Sequence, residues 1–345
     1  MQHTKTNYFA LILLLIFAVS ANSQTGGGKS FEFLTIPNSA RIAALGGNQV
    51  GLIDRDLNLF YHNPAMLTDS LSGQLVFNYV PYISDISYGF VGFAQHFNNL
   101  GTFAIAVHNI NYGNFNGFDA YYVPTSNFKV AEYAVLLTYS KQLTPSIHGA
   151  VTIKPIFSNF ENYNSTALAT DVGFSYVAPS RLFSAGIVLK NFGSQIKSFD
   201  GVNEKLPTDV QIGFAQKLEH APFRFLFTFQ GLTDWSLDYT IDDSQNGSAL
   251  SLKTDSKIGF GENLFRHTVF GVEFTPTKSF YVSMGYNHRI RQEFKYDNKP
   301  STVGYSWGFG FKIYKYRFAY ASARYHLAGT SNHFSILLNT SDLGL

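Results

Sequence analysis

The sequence predicts an all-β membrane protein, a closed antiparallel barrel of about fourteen transmembrane strands. Three observations carry that expectation. Side chains alternate between apolar and small or polar with a period of two over most of the chain. The connections between alternating segments are by turns short and long. The composition is rich in aromatic rings and poor in charge.

A β-strand sends successive side chains to opposite faces, so alternation marks a wall with two different surroundings. Val303, Tyr305, Trp307, Phe309, Phe311 and Ile313 share one face, with Gly304, Ser306, Gly308, Gly310 and Lys312 on the other. Phe223, Phe225, Phe227 and Phe229 oppose Arg224, Thr228 and Gln230 in the same way, and Phe280, Val282, Met284 and Tyr286 oppose Ser283, Gly285 and Asn287. About fourteen such segments fit the barrel-strand template. The first seven lie near 72–80, 86–96, 101–111, 130–142, 145–158, 167–177 and 182–192. The others lie near 207–218, 221–230, 265–275, 278–288, 301–312, 316–325 and 331–340.

Tight connections are expected at Phe97–Leu100, Gln142–Pro145, Ala178–Arg181, Glu219–Pro222, Thr275–Lys278 and Ile313–Tyr316. Longer ones fall at Tyr112–Lys129, Asn159–Thr166, Gly193–Leu206, Gly231–Leu264 and Arg289–Pro300, while Pro81–Asp85 is short. Short periplasmic turns alternating with longer extracellular loops are a mark of outer-membrane barrels, whose termini face the periplasm.

Charged residues make up 14% of the 345, against about 25% in soluble domains. Hydrophobic residues reach 45%, with 34 Phe and 21 Tyr, more ring surface than a soluble core usually holds. A propeller would show self-similarity at about 40–50 residues, and none is visible. The formal charge of +2 gives no reason to expect a nucleic-acid partner, and the absence of cysteine excludes disulfides, thiolate metal sites and cysteine nucleophiles.

The chain divides into three parts. Lys5, the apolar run Phe9–Val19 and the small residues of Ala21-Asn22-Ser23 read as a signal peptide over 1–23, with Gln24 as the new N-terminus. That run is too short for a transmembrane helix of about 20 residues. Residues 24–71 lack alternation and contain helix-compatible pieces, which suggests an N-terminal segment inside or below the barrel, a plug or hatch. Residues 72–345 form the barrel.

The motif survey leaves no catalytic, cofactor or metal site. Gly304-Tyr305-Ser306-Trp307-Gly308 matches the G-x-S-x-G pattern of serine hydrolases but lies in mid-strand, not on a strand-to-helix elbow. Ser194-Gln195-Ile196-Lys197 matches S-x-x-K but falls in an expected loop, and Lys253-Thr254-Asp255 misses the Lys-Thr-Gly that should follow. The ten histidines are scattered; His108, His148 and His267 fall on inward faces without zinc-ligand spacing. Asp234, Asp238, Asp242, Asp243 and Asp255 share the longest loop without EF-hand spacing, so a solvated surface explains them better than calcium. Trp235, Tyr239, Phe115, Phe118, Tyr121 and Tyr122 place aromatics in loops, as partner anchors or as packing over the barrel mouth.

Ser39-Ala40-Arg41, Ala43-Ala44-Leu45-Gly46-Gly47 and Tyr61-His62-Asn63-Pro64-Ala65-Met66-Leu67 resemble the entry to FadL-type barrels. Asn109-Ile110-Asn111-Tyr112-Gly113, Lys154-Pro155-Ile156-Phe157-Ser158 and Leu189-Lys190-Asn191-Phe192-Gly193 resemble the PorV/PorQ family of type IX secretion proteins. Leu206-Pro207-Thr208-Asp209-Val210-Gln211-Ile212-Gly213 and His220-Ala221-Pro222-Phe223-Arg224-Phe225 resemble its PorQ branch. The resemblance implies a FadL-like barrel in the outer membrane. It implies a non-enzymatic subunit of the attachment complex that processes secreted cargo and links it to lipopolysaccharide. PorZ, PorU and PorV-like subunits would be its partners. The FadL likeness taken alone implies instead a channel for hydrophobic small molecules.

Overall fold

The computed structural model describes residues 29–119, 121–161, 163–199, 201–235, 237, 258–294, 301–326 and 329–340. The signal segment, Tyr239, Asp238, Asp242, Asp243 and the Lys253–Asp255 stretch lie outside the described residues.

Fourteen antiparallel strands close on themselves, each paired with its neighbours in sequence and the first with the last. They are β1 (Gln74–Pro81), β2 (Ser87–Phe97), β3 (Gly101–Phe115), β4 (Phe128–Thr144), β5 (Ile147–Phe160), β6 (Tyr163–Val177) and β7 (Phe183–Lys197). β8 (Asp209–Lys217), β9 (Phe223–Phe229), β10 (Thr268–Thr277), β11 (Phe280–Asn287), β12 (Tyr305–Ile313), β13 (Tyr316–His326) and β14 (Gly329–Asn339) complete the wall. Closure leaves no edge, so the backbone groups of the ladder find partners within it, as hydrocarbon surroundings require. No helix among the described residues is long and apolar enough to cross a membrane.

The facing follows the alternation. Phe227, Trp307, Ile105, Ile187 and Ile336 are exposed outward, while Thr228, Ser306, Ala106, Gly186 and Ser335 point inward. The wall is uneven in height. β3 to β7 run for 14–17 residues, whereas β8 to β12 run for only 7–10.

Three local expectations change. The connection expected at Asn159–Thr166 is instead a tight hairpin, because β5 and β6 stay paired out to Phe160 and Tyr163. Ser194 and Lys197 lie on β7, which continues past the expected loop start. Val303 is buried, not outward, because Gly304 takes φ +85° and breaks the alternation before β12 begins.

Lys29 bridges to Lys205 and Ser30 N–H donates to the Lys205 carbonyl at 2.9 Å, in the β7–β8 connection. That is the long-loop end of the barrel, opposite the short turns. The first described residue therefore lies at the long-loop mouth of the barrel.

Candidate functional site: the plugged lumen and its vestibule

Residues 30–71 are folded within the lumen. They form the short helix α1 (Ala40–Ala44) and four 3-10 turns at Glu32–Thr35, Leu57–Tyr61, Pro64–Met66 and Asp69–Leu71. Two of the turns have a local cause in a side-chain cap. The Asp56 carboxylate caps one by accepting from Asn58 N–H at 3.1 Å. Asn63 caps the next by accepting from Ala65 N–H at 3.0 Å, and Pro64 supplies a first turn that needs no N–H there.

So irregular a segment has backbone groups to satisfy, and the barrel wall satisfies them with small polar side chains. Ser335 accepts from Ala40 N–H at 2.9 Å, Ser184 donates to the Gly51 carbonyl at 2.7 Å, and Ser175 donates to the Ala65 carbonyl at 2.8 Å. Ser306 does both, donating to the Ala44 carbonyl at 3.0 Å and accepting from Gly46 N–H at 3.1 Å. The wall glycines let the plug come close: a Cβ at Gly285 would lie 2.1 Å from Gly46 N, and one at Gly186 would lie 2.1 Å from the Val50 carbonyl oxygen. Apolar contacts fill the rest. Ile42, Leu45, Leu52, Leu59 and Met66 pack on Leu226 and Ala215, and Phe33, Leu34, Phe60 and Tyr61 pack on Tyr88 and Phe90.

A cluster of charges holds the plug near the short-turn end. Arg41 donates from Nε to Glu273 Oε1 at 2.8 Å, and from Nη2 to Glu273 Oε2 at 2.9 Å and to Asp54 Oδ2 at 2.7 Å. Arg224 on β9 reaches the same Asp54 and Glu273 oxygens at 2.9 Å each. Burial alone would raise the Asp54 carboxyl, but the Arg41 and Arg224 guanidiniums hold it well below the usual carboxylate range. Asp56, 3.5 Å from Arg41, moves the other way: burial outweighs the single guanidinium and raises it.

A second cluster lies higher, where three segments quoted above converge. Lys154 on β5 pairs with Asp171 on β6 at 2.7 Å and donates to the Asn191 side-chain oxygen. Asn191 takes φ +53°, a conformation Asn tolerates, and its N–H donates to Asp171 at 2.7 Å. Its amide also donates to the Pro207 carbonyl at 3.1 Å. Beside it, the Lys190 ammonium lies 5.0 Å from the Tyr61 ring centroid.

Above the plug a cavity of about 620 Å³ opens at the long-loop end. Leu34, Ile36, Tyr82, Tyr88, Tyr325 and Phe294 give it apolar and aromatic walls, and Lys190, His62, Asn48 and Gln211 give it polar ones. Its volume and mixed lining are those of a small-molecule pocket.

The residues singled out in the sequence scatter. Ser306 is an anchor for the plug, with both its hydrogen bonds directed to plug backbone. Ser194 and Lys197 sit at the far end of β7. His108 is buried against Tyr61, whose hydroxyl lies 2.8 Å from its Nδ1, while His267 packs on Trp235 at 4.7 Å between ring centroids. Among the described residues no group of metal-ligating side chains converges. Asp234, the described member of the acidic loop, pairs with Lys29 at 2.5 Å. Lys190, His62 and the Arg41–Glu273 pair were not singled out as site residues; sequence spacing of 232 between the last two carries no signal.

No protein-family profile matches the sequence, and no curated protein matches it. Solved structures do. The toluene transporter TbuX of Ralstonia pickettii superposes with TM-score 0.51 at 11% identity, over 89% of this chain and 98% of that one. The toluene transporter TodX of Pseudomonas putida gives TM-score 0.51 at 10% identity, over 88% and 96%. The fold is theirs. At this identity the likeness concerns the fold alone, a closed fourteen-stranded antiparallel barrel.

Proposed function

We propose that this protein is a FadL-like outer-membrane channel that admits hydrophobic small molecules at the cell surface. The observation that carries the reading is the mouth cavity of about 620 Å³ seated on a lumenal plug, with tyrosines and aliphatic side chains in its wall. That volume suits a small organic ligand. The fold shared with the toluene transporters TbuX and TodX supports the same reading. Proteoliposomes holding the purified protein should take up toluene faster than empty liposomes, and a strain lacking the gene should take it up more slowly. Equal rates in both comparisons would remove the proposal.

A second reading rests on a different observation. The β3–β4 hairpin ends in Tyr121 and Tyr122, 87% and 86% exposed, beside exposed Phe118 and Val123. Bare tyrosines at a loop tip on the cell-surface side suit a protein partner, because aromatic residues dominate binding hot spots. This supports the role implied by the PorQ resemblance: a non-enzymatic subunit of the type IX attachment complex, anchoring PorZ beside PorU and PorV-like subunits. Deleting the gene should leave cargo unattached at the surface, and Tyr121→Ser with Tyr122→Ser should reduce recovery of PorZ with the barrel. Normal attachment in the deletion strain would dispose of this role.

A further inference from the structure

Lys190 stands out among the charges around the mouth cavity. Its side chain is buried, the residue only 4% exposed, and it lines the cavity beside His62 and Asn191. Burying a charge is costly unless it is paired, so each carboxylate near it must be accounted for. Asp209, its cross-strand partner, accepts from Gln211 at 2.8 Å, from Gly231 N–H at 2.7 Å and from Thr233 at 3.4 Å. Asp171 is taken by Lys154 and by Asn191 N–H. Farther round the rim, Lys29 holds Asp234, Arg289 holds Glu293 at 2.7 Å, and the Glu32 carboxylate lies near the charges of Lys29 and Arg289. Among the described residues no carboxylate comes within ion-pair distance of the Lys190 ammonium; its one close partner is the face of Tyr61.

The rings around it form a connected wall. Tyr61 lies 5.0 Å from His108, His108 lies 6.2 Å from Tyr88, and Tyr88 lies 6.0 Å from both Tyr82 and His333. His333 continues the series to Tyr325 at 6.2 Å. Tyr82, Tyr88 and Tyr325 all border the cavity. Separations of this order suit edge-to-face packing with a further ring. The site therefore combines a buried ammonium that lacks a protein carboxylate with an aromatic wall whose rings stand tilted or edge-on to one another.

We infer that the ligand of this cavity is a small aromatic carboxylate, its carboxylate on Lys190 and its ring against the tyrosines. This rests on the channel reading for its physiological meaning, though the binding itself does not require transport. An ammonium–carboxylate contact in a shielded site is a strong, charge-assisted bond, and it discriminates an acid from its neutral isostere.

The test uses the full-length protein purified in detergent, with benzoate and its near-isostere toluene as probes and hexanoate as the aliphatic acid. Calorimetric titration should give the wild type a preference for benzoate over toluene, and Lys190→Met should cut the benzoate-to-toluene affinity ratio by about tenfold or more. Lys190→Arg, which keeps the charge, should retain most of the preference. Near-ultraviolet circular dichroism of each variant reports that the barrel and its plug are intact, and Lys190→Gln repeats the test should the methionine variant fail it. An unchanged ratio in the folded neutral variants, or no benzoate binding by the wild type, overturns the carboxylate site. Hexanoate binding as tightly as benzoate overturns its aromatic part. Toluene flux without benzoate binding would remove this site and leave the channel, whereas Lys190-dependent benzoate binding without flux would do the reverse.

Discussion

Arg41 and Glu273 meet in a two-pronged pair, Nε to Oε1 at 2.8 Å and Nη2 to Oε2 at 2.9 Å, joining the lumenal plug to β10. Glu273 has no exposed side-chain surface. Arg41→Ala would leave Glu273, Asp54 and Asp56 facing Arg224 alone. Removing one partner of a buried pair typically costs about 3–5 kcal/mol. The wall strands remain paired by their own ladder, so the loss should appear in the plug first. Ion conductance in planar bilayers is expected to rise in Arg41→Ala and to rise less in Arg41→Met with Glu273→Gln. Conductance equal to wild type in Arg41→Ala would show that the pair does not hold the plug.

Gly285 and Gly186 set how closely the plug can approach the wall. A Cβ on Gly285 would meet Gly46 N at 2.1 Å and the Leu45 carbonyl carbon at 2.3 Å, backbone on backbone. Neither side can turn away as a side chain would. Gly285→Val should therefore cost at least the 1–3 kcal/mol or so of ordinary overpacking, read as a lower melting temperature or an unseated plug. Gly261 in the helix Phe260–Arg266 has nothing within 4 Å of its Cβ position, so Gly261→Ala should be neutral or stabilising by up to about 1 kcal/mol.

The barrel was legible because alternation is a local property. Each residue's facing depends on its immediate neighbours, so Phe227 outward and Thr228 inward could be read from the segment itself, and the strand number followed. Val303 shows the limit: one left-handed residue, Gly304, ends the pattern with no change in hydrophobicity. The lumen was far less legible. Ser306 looks like any small inward residue until Ala44 and Gly46 arrive from 262 and 260 residues away. Lys190 carries no signature either, since its meaning lies in Asp209 and Asp171 being engaged elsewhere. The position of Lys29 at the mouth follows from its pairing with Lys205, which no periodicity encodes.

The outward face gives a prediction with a built-in control. Phe227 on β9 is exposed and packs on Phe270 of β10, with ring centroids 5.1 Å apart. Phe227→Arg puts a charge against hydrocarbon and should cost about 2–4 kcal/mol if the position lies near the bilayer midplane. Tyr314, in the turn between β12 and β13, is 91% exposed, and Tyr314→Arg should cost little. Equilibrium unfolding in lipid vesicles measures both. Equal costs would mean that β9 does not face lipid at Phe227.

His62 gives the plug a dependence on pH. The ring is buried, with Nδ1 2.9 Å from the Asn48 side-chain oxygen. The Asn48 amide donates to Gln211 and Gln230 at 2.9 Å each, which turns its oxygen toward Nδ1, and the Asn38 amide donates to the Asn58 carbonyl at 3.1 Å, which turns its oxygen toward Nε2 at 3.1 Å. Burial first, then the nearby positive charges of Lys190 and Lys154, hold its pKa well below the ordinary histidine value. A histidine near 6.5 in the unfolded chain thus takes up its proton there before the folded protein does. Below that pH the unfolded state binds the extra proton, so folded stability falls as the solution is acidified. One proton corresponds to a slope of about 1.4 kcal/mol per pH unit. Between pH 6.5 and 5 the wild type should lose stability faster than His62→Gln by roughly that slope, because glutamine cannot take up the proton. Parallel lines for the two proteins over that window would mean that His62 is protonated in the folded state, and that the Asn48 and Asn38 oxygens on its two nitrogens bind an imidazolium.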